Sequence, residues 1–265
     1  MKNLSRITLL MLGACLASPT LAQSPASRVE RVAAAQALKV CIWPEYYGIT
    51  WRNPKTGQLA GIDIDLAAEL GRDLGARVEF VETSFARLIE DLNQERCDVA
   101  MFAIGITPAR KEKIAFSQPY LASDIYGITT RSNARVKDWA DIDRDGTVVA
   151  VARGTLHEPV MRDKLKHARL VVLDTPQARE QEVQSGRADV FMTDFPFSRR
   201  MLDNAAWARL VAPAAVYHLT PYAYAVKPGD EKWLARVDRF VGDIKRDGRL
   251  AAAARRHKLE SIVAP

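Results

Sequence analysis

Asp98-Val99-Ala100-Met101-Phe102-Ala103 (residues 98–103) is apolar after its first residue and runs on through Ile104-Gly105-Ile106 to Thr107-Pro108-Ala109-Arg110. A strand with one wet face alternates apolar and polar residues. A run that is apolar throughout reads as a strand covered on both faces, as in a parallel sheet flanked by helices. The preceding residues support that reading. Residues 38–42 read as a strand, 64–74 carries apolar residues at helical spacing and stops at Gly75, 77–81 reads as a second strand and 85–92 as a second helix. With 98–103 as the third strand, the order is β-α-β-α-β, which implies a parallel sheet with helices on its faces.

The pattern restarts downstream. Residues 126–130 read as a short extended crossover, 148–152 as a strand, 158–165 as a helix and 170–173 as a strand. A helix to about Ser185, a strand over 190–193 and a helix opening at 198–202 follow. Residues 222–226 read as a second extended crossover, and the chain ends in helices over 232–247 and 250–257, separated by Gly248. The expected fold class is α/β: two α/β lobes joined by two extended crossovers, with a ligand cleft between them. Lobe 1 is discontinuous, 23–130 and 225–265, and lobe 2 is the insertion, 131–224. Two connections make a hinge. Open α/β sheets bind ligands beyond the carboxyl ends of their strands, so both lobes can present those ends to one cleft.

The first residues read as an export signal. Lys2 and Arg6 precede the apolar run Ile7 and Leu9-Leu10-Met11-Leu12, which is shorter than the roughly 20 residues a membrane span needs. Thr20-Leu21-Ala22 offers a cleavage site after Ala22, giving a signal peptide over 1–22 and a periplasmic chain. Leu12-Gly13-Ala14-Cys15 permits a second reading, a lipobox that would anchor the chain through Cys15. About 240 residues remain, enough for two lobes. The formal charge of +6 falls to +4 without Lys2 and Arg6, and its cations are interspersed with acids, as where Arg110, Lys111 and Lys113 bracket Glu112. That suits a solvated face and argues against a nucleic-acid partner.

Cys41 and Cys97 both fall at expected strands that can be neighbours. An oxidising compartment permits a bridge, and two buried thiols fit the same positions. The four His are dispersed, with no Cys/His spacing for a metal, and no cofactor is expected.

Residues just after strand ends are the site candidates. They include Trp43-Pro44-Glu45-Tyr46-Tyr47 after the first strand, Gly105 and Arg110 after the third, and, in lobe 2, Arg153-Gly154-Thr155 and Asp194. One cleft could thus collect a guanidinium, a carboxylate, a hydroxyl and several aromatics. A guanidinium holds a carboxylate through two parallel charge-assisted bonds, and a carboxylate receives an ammonium, so the set suits a zwitterion. Backbone N–H groups near Gly105 and Thr155, at expected helix starts, can add donors to an anion. Each residue also has an ordinary structural use. Arg110 can sit at a surface helix start, Asp194 and Thr155 can cap helices, and the aromatics can be core.

The ordered set of motifs resembles the family 3 periplasmic solute-binding proteins, receptors of polar amino-acid ABC importers. It covers nearly all of 38–257. Lobe 1 carries Gly61-Ile62-Asp63-Ile64-Asp65-Leu66-Ala67, Cys97-Asp98-Val99-Ala100, Thr107-Pro108-Ala109-Arg110 and Phe116-Ser117-Gln118-Pro119-Tyr120. Lobe 2 carries Gly154-Thr155 with Glu158, then Gly186-Arg187-Ala188-Asp189-Val190 and Asp194. The resemblance implies a periplasmic-binding-protein-like fold and a monomer that delivers a small-molecule ligand, an amino acid or small carboxylate, to a membrane ABC permease. It implies that Arg110 grips the ligand's α-carboxylate, that Thr155 donates to it on closure and that Asp194 takes the α-ammonium. Tyr46 and Phe85 match the aromatics that sandwich the side chain, and Trp51 a common aromatic position nearby.

Three positions depart from the family's pattern. Trp43 stands where many such receptors have an acid, Gly105 where a Thr or Ser is usual, and Ala103 where a Gly is usual. The expected pocket is therefore more aromatic than most, with Glu45 as a stand-in acid if it turns inward, and suits an apolar or aromatic side chain. The fold has an enzymatic branch, the periplasmic cyclohexadienyl dehydratases, which need an acid in the cleft to protonate a leaving hydroxyl. The branch places a glutamate three residues after the aspartate matching Asp194. Here that residue is Phe197, so a binding protein rather than an enzyme is expected.

Overall fold

The structure is a computed structural model and describes residues 27–265. The expected signal peptide over 1–22, and Cys15 with it, lie outside the described residues. Among the described residues no helix is long and apolar enough to cross a membrane.

The chain opens with α1 (Arg28–Ala35) and β1 (Ala37–Ile42). Three short strands follow, β2 (Glu45–Tyr46), β3 (Thr50–Arg52) and β4 (Leu59–Ala60), paired as a small antiparallel sheet. Then come α2 (Ile62–Leu74), β5 (Arg77–Glu82), α3 (Leu88–Asn93) and β6 (Val99–Gly105). α4 (Pro108–Lys111), β7 (Ala115–Phe116) and β8 (Leu121–Ser123) complete the first passage. β1 pairs in parallel with β5 on one side and β6 on the other. Every residue of β6 is buried, as its unbroken apolar run requires. α2 turns Ile62, Leu66, Ala67 and Leu70 inward, one face of a helix.

The second sheet is built from β9 (Tyr126–Thr130), β10 (Val148–Ala152), β11 (Arg169–Leu173), β12 (Val190–Thr193) and β13 (Ala208–Val211), in the order β11-β10-β12-β9-β13. Its helices are α5 (His157–Lys164), α6 (Pro176–Gln184) and α7 (Phe195–Asn204). The chain returns through β14 (Thr220–Val226), which lies between β6 and β7 in the order β5-β1-β6-β14-β7. α8 (Glu231–Arg246) and α9 (Arg249–Arg256) close the first lobe. α8 buries Trp233, Val237, Phe240, Val241 and Ile244, and the Trp233 indole N–H donates to the Asp98 carbonyl at 2.8 Å. Large side chains so placed each stabilise by about 1.5–3 kcal/mol.

Two expectations need correction. The extended crossovers are members of the sheets: β9 pairs antiparallel with β12 and β13, and β14 with β6, β7 and β8. The expected division at 130/131 and 224/225 therefore shifts, because the chain has entered the second sheet by Tyr126 and rejoined the first by Thr220. An extended segment beside a sheet satisfies its backbone groups by pairing with it. The helix expected over 85–92 begins only at Leu88, because Phe85 is drawn into an aromatic cluster and Arg87 N–H closes a turn on Ser84.

The open question of Cys41 and Cys97 is answered by adjacent strands. β1 and β6 bring Cys41 next to Ala100, and the two cysteines form a disulfide with Cα atoms 5.5 Å apart. The Ala103 departure also has a geometric meaning. Its φ is +49°, in the left-handed region where a Cβ costs about 1–2 kcal/mol, so Gly would fit more easily. The buried Asp63 carboxylate holds it there by accepting the Ala103 N–H at 3.0 Å.

Candidate functional site

A cavity lies between the two lobes at the carboxyl ends of β1, β6, β10 and β12, as expected for open α/β sheets. Lobe 1 lines it with Trp43, Tyr46, Phe85, Ala103, Gly105 and Tyr222. Lobe 2 contributes Thr155, Leu156, His157, Arg179 and Asp194, with Ala152, Thr193 and Phe197 behind them. The lobes are closely apposed and leave a cavity of about 20 Å³, room for about one water molecule.

The aromatic wall is continuous. Ring centroids of Trp43 and Tyr46 are 5.3 Å apart, Trp43 and Phe85 5.2 Å, and Phe85 and Phe102 5.1 Å, mostly edge to face. Arg110 backs this wall, with its guanidinium 5.3 Å from the Phe85 centroid. Thr107 caps the short helix α4, accepting the Arg110 N–H at 3.3 Å, and so fixes where the side chain departs. Nη1 then donates to the Gly105 carbonyl at 2.9 Å and Nη2 to the Gly154 carbonyl at 3.1 Å. Burial lowers the Arg110 pKa to about 10, which leaves the cation intact at neutral pH.

Asp194 caps α7, accepting the Phe197 N–H at 3.2 Å. Its other oxygen accepts the phenolic O–H groups of Tyr46 and, at 3.0 Å, Tyr222. Burial raises the Asp194 pKa, against the pull of those donors. The expected capping use and the placement in the cleft are thus both realised. The Thr155 hydroxyl donates to the Ala152 carbonyl at 2.8 Å and lies 3.4 Å from His157 Nδ1.

Six of the sequence candidates line the cavity, namely Trp43, Tyr46, Phe85, Gly105, Thr155 and Asp194, and Arg110 adjoins it. Gly105 leaves space that others fill, since a Cβ there would meet Leu156 Cδ2 and Thr220 Cγ2 at 3.1 Å. Gly154 offers only its carbonyl, to Arg110. Glu45 and Trp51 are elsewhere. Glu45 precedes Tyr46 on β2, and successive strand side chains point to opposite faces, so it lines a neighbouring depression with Glu82 and Arg153, which shares Trp43, Phe85, Ala152 and Thr155 with the cavity. Trp51 is the register partner of Glu45 and lines another depression with Tyr47 and Arg199. Glu45 is therefore not in the cavity lining but in the depression next to it.

His157, Arg179 and Tyr222 were not anticipated. His157 is buried, with Nε2 lacking a hydrogen-bond partner. Burial first, and the charge of Arg179 next, lower its pKa to about 3, so the imidazole is neutral at physiological pH. Arg179 is 2% exposed, donates from Nη1 to the Met192 carbonyl at 2.8 Å, and has Nε without a partner. Its guanidinium lies 4.4 Å from the Phe191 centroid and 4.7 Å from the Phe197 centroid, in the corner of two rings set edge to face, and burial lowers its pKa to about 10. Arg179 shares a helix face with Val183, four residues on, and both are buried.

Comparison with known proteins agrees with this architecture. The profile of the bacterial extracellular solute-binding proteins, family 3, matches residues 38–260. A cyclohexadienyl dehydratase of Pseudomonas aeruginosa is 33% identical over 242 residues, 89% of this chain and 88% of that protein. The ABC transporter arginine-binding protein 1 of Escherichia coli K12 is 26% identical over 244 residues, 90% of this chain and 94% of that protein. The crystal structure of an ancestral amino acid-binding protein, a precursor of cyclohexadienyl dehydratase, superposes with a TM-score of 0.79 at 29% identity, covering 87% of this chain and 99% of the other.

Proposed function

Because the chain belongs to the bacterial extracellular solute-binding proteins of family 3, we propose that it is the extracytoplasmic binding component of an ABC importer and captures an amino acid or related small carboxylate by hinged closure. One observation carries the reading. Asp194 from lobe 2 lines an aromatic-walled cavity at the strand ends, and Arg110 from lobe 1 adjoins it through the Gly105 carbonyl and the Phe85 ring. Lobe 1 binds first, through Arg110 and the wall of Trp43, Tyr46 and Phe85. Lobe 2 then brings Thr155 and Asp194, and the ligand shifts the population toward the closed form. The closed form docks on a membrane permease, and residues 1–22, read as an export signal, support a periplasmic location.

A thermal-shift screen of amino acids and small carboxylates, followed by calorimetry on the hits, tests this. A ligand at 100 times its Kd stabilises the closed protein by about 2.7 kcal/mol. If no member of either class raises the melting temperature or gives heat, the reading fails.

The 33% identity to a cyclohexadienyl dehydratase motivates a second reading, catalysis in the same cleft. The local chemistry weighs against it. Phe197 occupies the position where that branch has its glutamate, Glu45 lies outside the cavity, and His157 holds no proton to give as an imidazolium at neutral pH. Prephenate incubated with the purified protein is expected to yield no phenylpyruvate, and turnover would make the protein an enzyme.

A further inference from the structure

Two cations and one carboxylate stand at this cavity, Arg179 and Asp194 in its lining and Arg110 behind Gly105 and Phe85, and no ion pair joins them. Arg110 uses its bonds on the carbonyls of Gly105 and Gly154, and Arg179 on the carbonyl of Met192. No ion pair involves either side chain among the described residues. Asp194 is meanwhile served from within the protein by Tyr46, Tyr222 and the Phe197 N–H. Glu180 and Asp194 act on Arg179 only at longer range than an ion pair, so a buried cation bonded to a carbonyl is still costly, and the cost falls when a full negative charge arrives in contact.

Arg179 cannot escape to solvent. Its guanidinium sits in the corner formed by the edge-to-face rings of Phe191 and Phe197, and its Nε has no partner. His157 beside it also has an unpartnered buried nitrogen, and as a neutral imidazole it supplies a hydrogen bond without a compensating charge. A zwitterion with an uncharged side chain brings one carboxylate and one ammonium. It would pair with Arg110, compete with two tyrosines for Asp194, and leave Arg179 unmatched.

We infer that Arg179, with His157 beside it, forms a second anion-binding subsite in the cleft, and that the ligand carries two acidic groups, one held by Arg110 and the other by Arg179. The inference rests on the carboxylate-binding function proposed above and narrows it. The apolar wall of Trp43, Phe85 and Leu156 lies against the carbon skeleton joining the two acids.

Calorimetry with three probes tests it: L-glutamate, a diacid with an ammonium; phenylsuccinate, a diacid without one; and L-phenylalanine, a monocarboxylate. At least one diacid is expected to bind the wild-type chain at least tenfold more tightly than L-phenylalanine. Arg179→Gln should weaken that diacid at least tenfold and weaken L-phenylalanine by a factor at least threefold smaller. Arg179→Lys keeps the charge but not the planar fork. It should weaken the diacid at least threefold, and it supplies the comparison if the glutamine variant does not fold. Tighter binding of L-phenylalanine than of both diacids, or equal weakening of all probes in the variant, would overturn the inference and leave the broader reading standing. Silence from every amino acid and carboxylate would overturn both.

Discussion

Arg110 of lobe 1 donates from Nη2 to the carbonyl oxygen of Gly154 in lobe 2 at 3.1 Å, across 44 positions of sequence. With the Gly105 carbonyl at 2.9 Å, this bond fixes the plane of a guanidinium that is 7% exposed. The carbonyls orient the cation without neutralising it. A ligand carboxylate can do so through charge-assisted bonds, and removing one partner of such a buried pair costs about 2–5 kcal/mol. Arg110→Ala is therefore expected to weaken carboxylate binding by that amount in calorimetry. An affinity within threefold of wild type would remove Arg110 from the site.

Gly154 sits where the lobes come closest. Its φ is +75°, and a Cβ there would lie 2.8 Å from the backbone N and Cα of Ala86 in the other lobe. Backbone does not yield as a flexible side chain does. Gly154→Ala should add about 1–2 kcal/mol of local strain and also wedge the lobes apart. The expected result is at least a tenfold loss of ligand affinity. Small-angle scattering at saturating ligand should give a larger radius of gyration than wild type. A variant that compacts on ligand as the wild type does would mean that this approach does not limit closure.

The parallel strands were legible because strands buried on both faces leave an unbroken apolar run, as 98–103 does within β6. β9 and β14 were misread as connectors because an extended segment looks the same in sequence whether or not it is paired. The two- and three-residue strands β2, β3 and β4 are too short to show any period. In the site, Tyr46, Gly105, Thr155 and Asp194 followed from their places after strand ends. Glu45 and Trp51 line other depressions, since proximity in sequence does not give the face of a strand. Arg179 was missed because a charge on a helix is ordinarily solvent-facing, and only the neighbouring layer, with Phe191 and Phe197, turns it inward.

The Cys41–Cys97 bridge joins β1 to the start of β6 and spans 56 residues of sequence. Closing a loop of that length in the unfolded chain stabilises the folded state by about 4 kcal/mol on the chain-entropy estimate. Replacing both cysteines by alanine, or reducing the wild type, should lower the urea midpoint by the equivalent of about 2–5 kcal/mol. Reduction should then have no effect on the double variant. A reductant-insensitive wild type would mean that the thiols are free.

Asp63 gives the lobe 1 core a pH dependence of its own. Its buried carboxyl accepts the N–H of Ala103 at 3.0 Å and the phenolic O–H groups of Tyr120 and Tyr224. Burial nevertheless dominates these three donors and raises the pKa from 3.8 to about 7. Between about pH 4 and pH 7 the unfolded chain has lost a proton that the folded chain keeps, so the folded state binds more protons and stability falls as pH rises. The contribution is complete below about pH 4, declines by about 1 kcal/mol per pH unit and is gone above about pH 7. Asn is close in size and cannot ionise, so Asp63→Asn should remove this slope. Urea unfolding at pH 5, 6, 7 and 8 isolates the effect as the difference between the two proteins, because every other titrating group is common to both. The wild type should lose stability relative to the variant across pH 5 to 7 and run parallel to it above. Parallel curves over the whole range would mean that Asp63 is already ionised at pH 5, with its three donors outweighing the cost of burial.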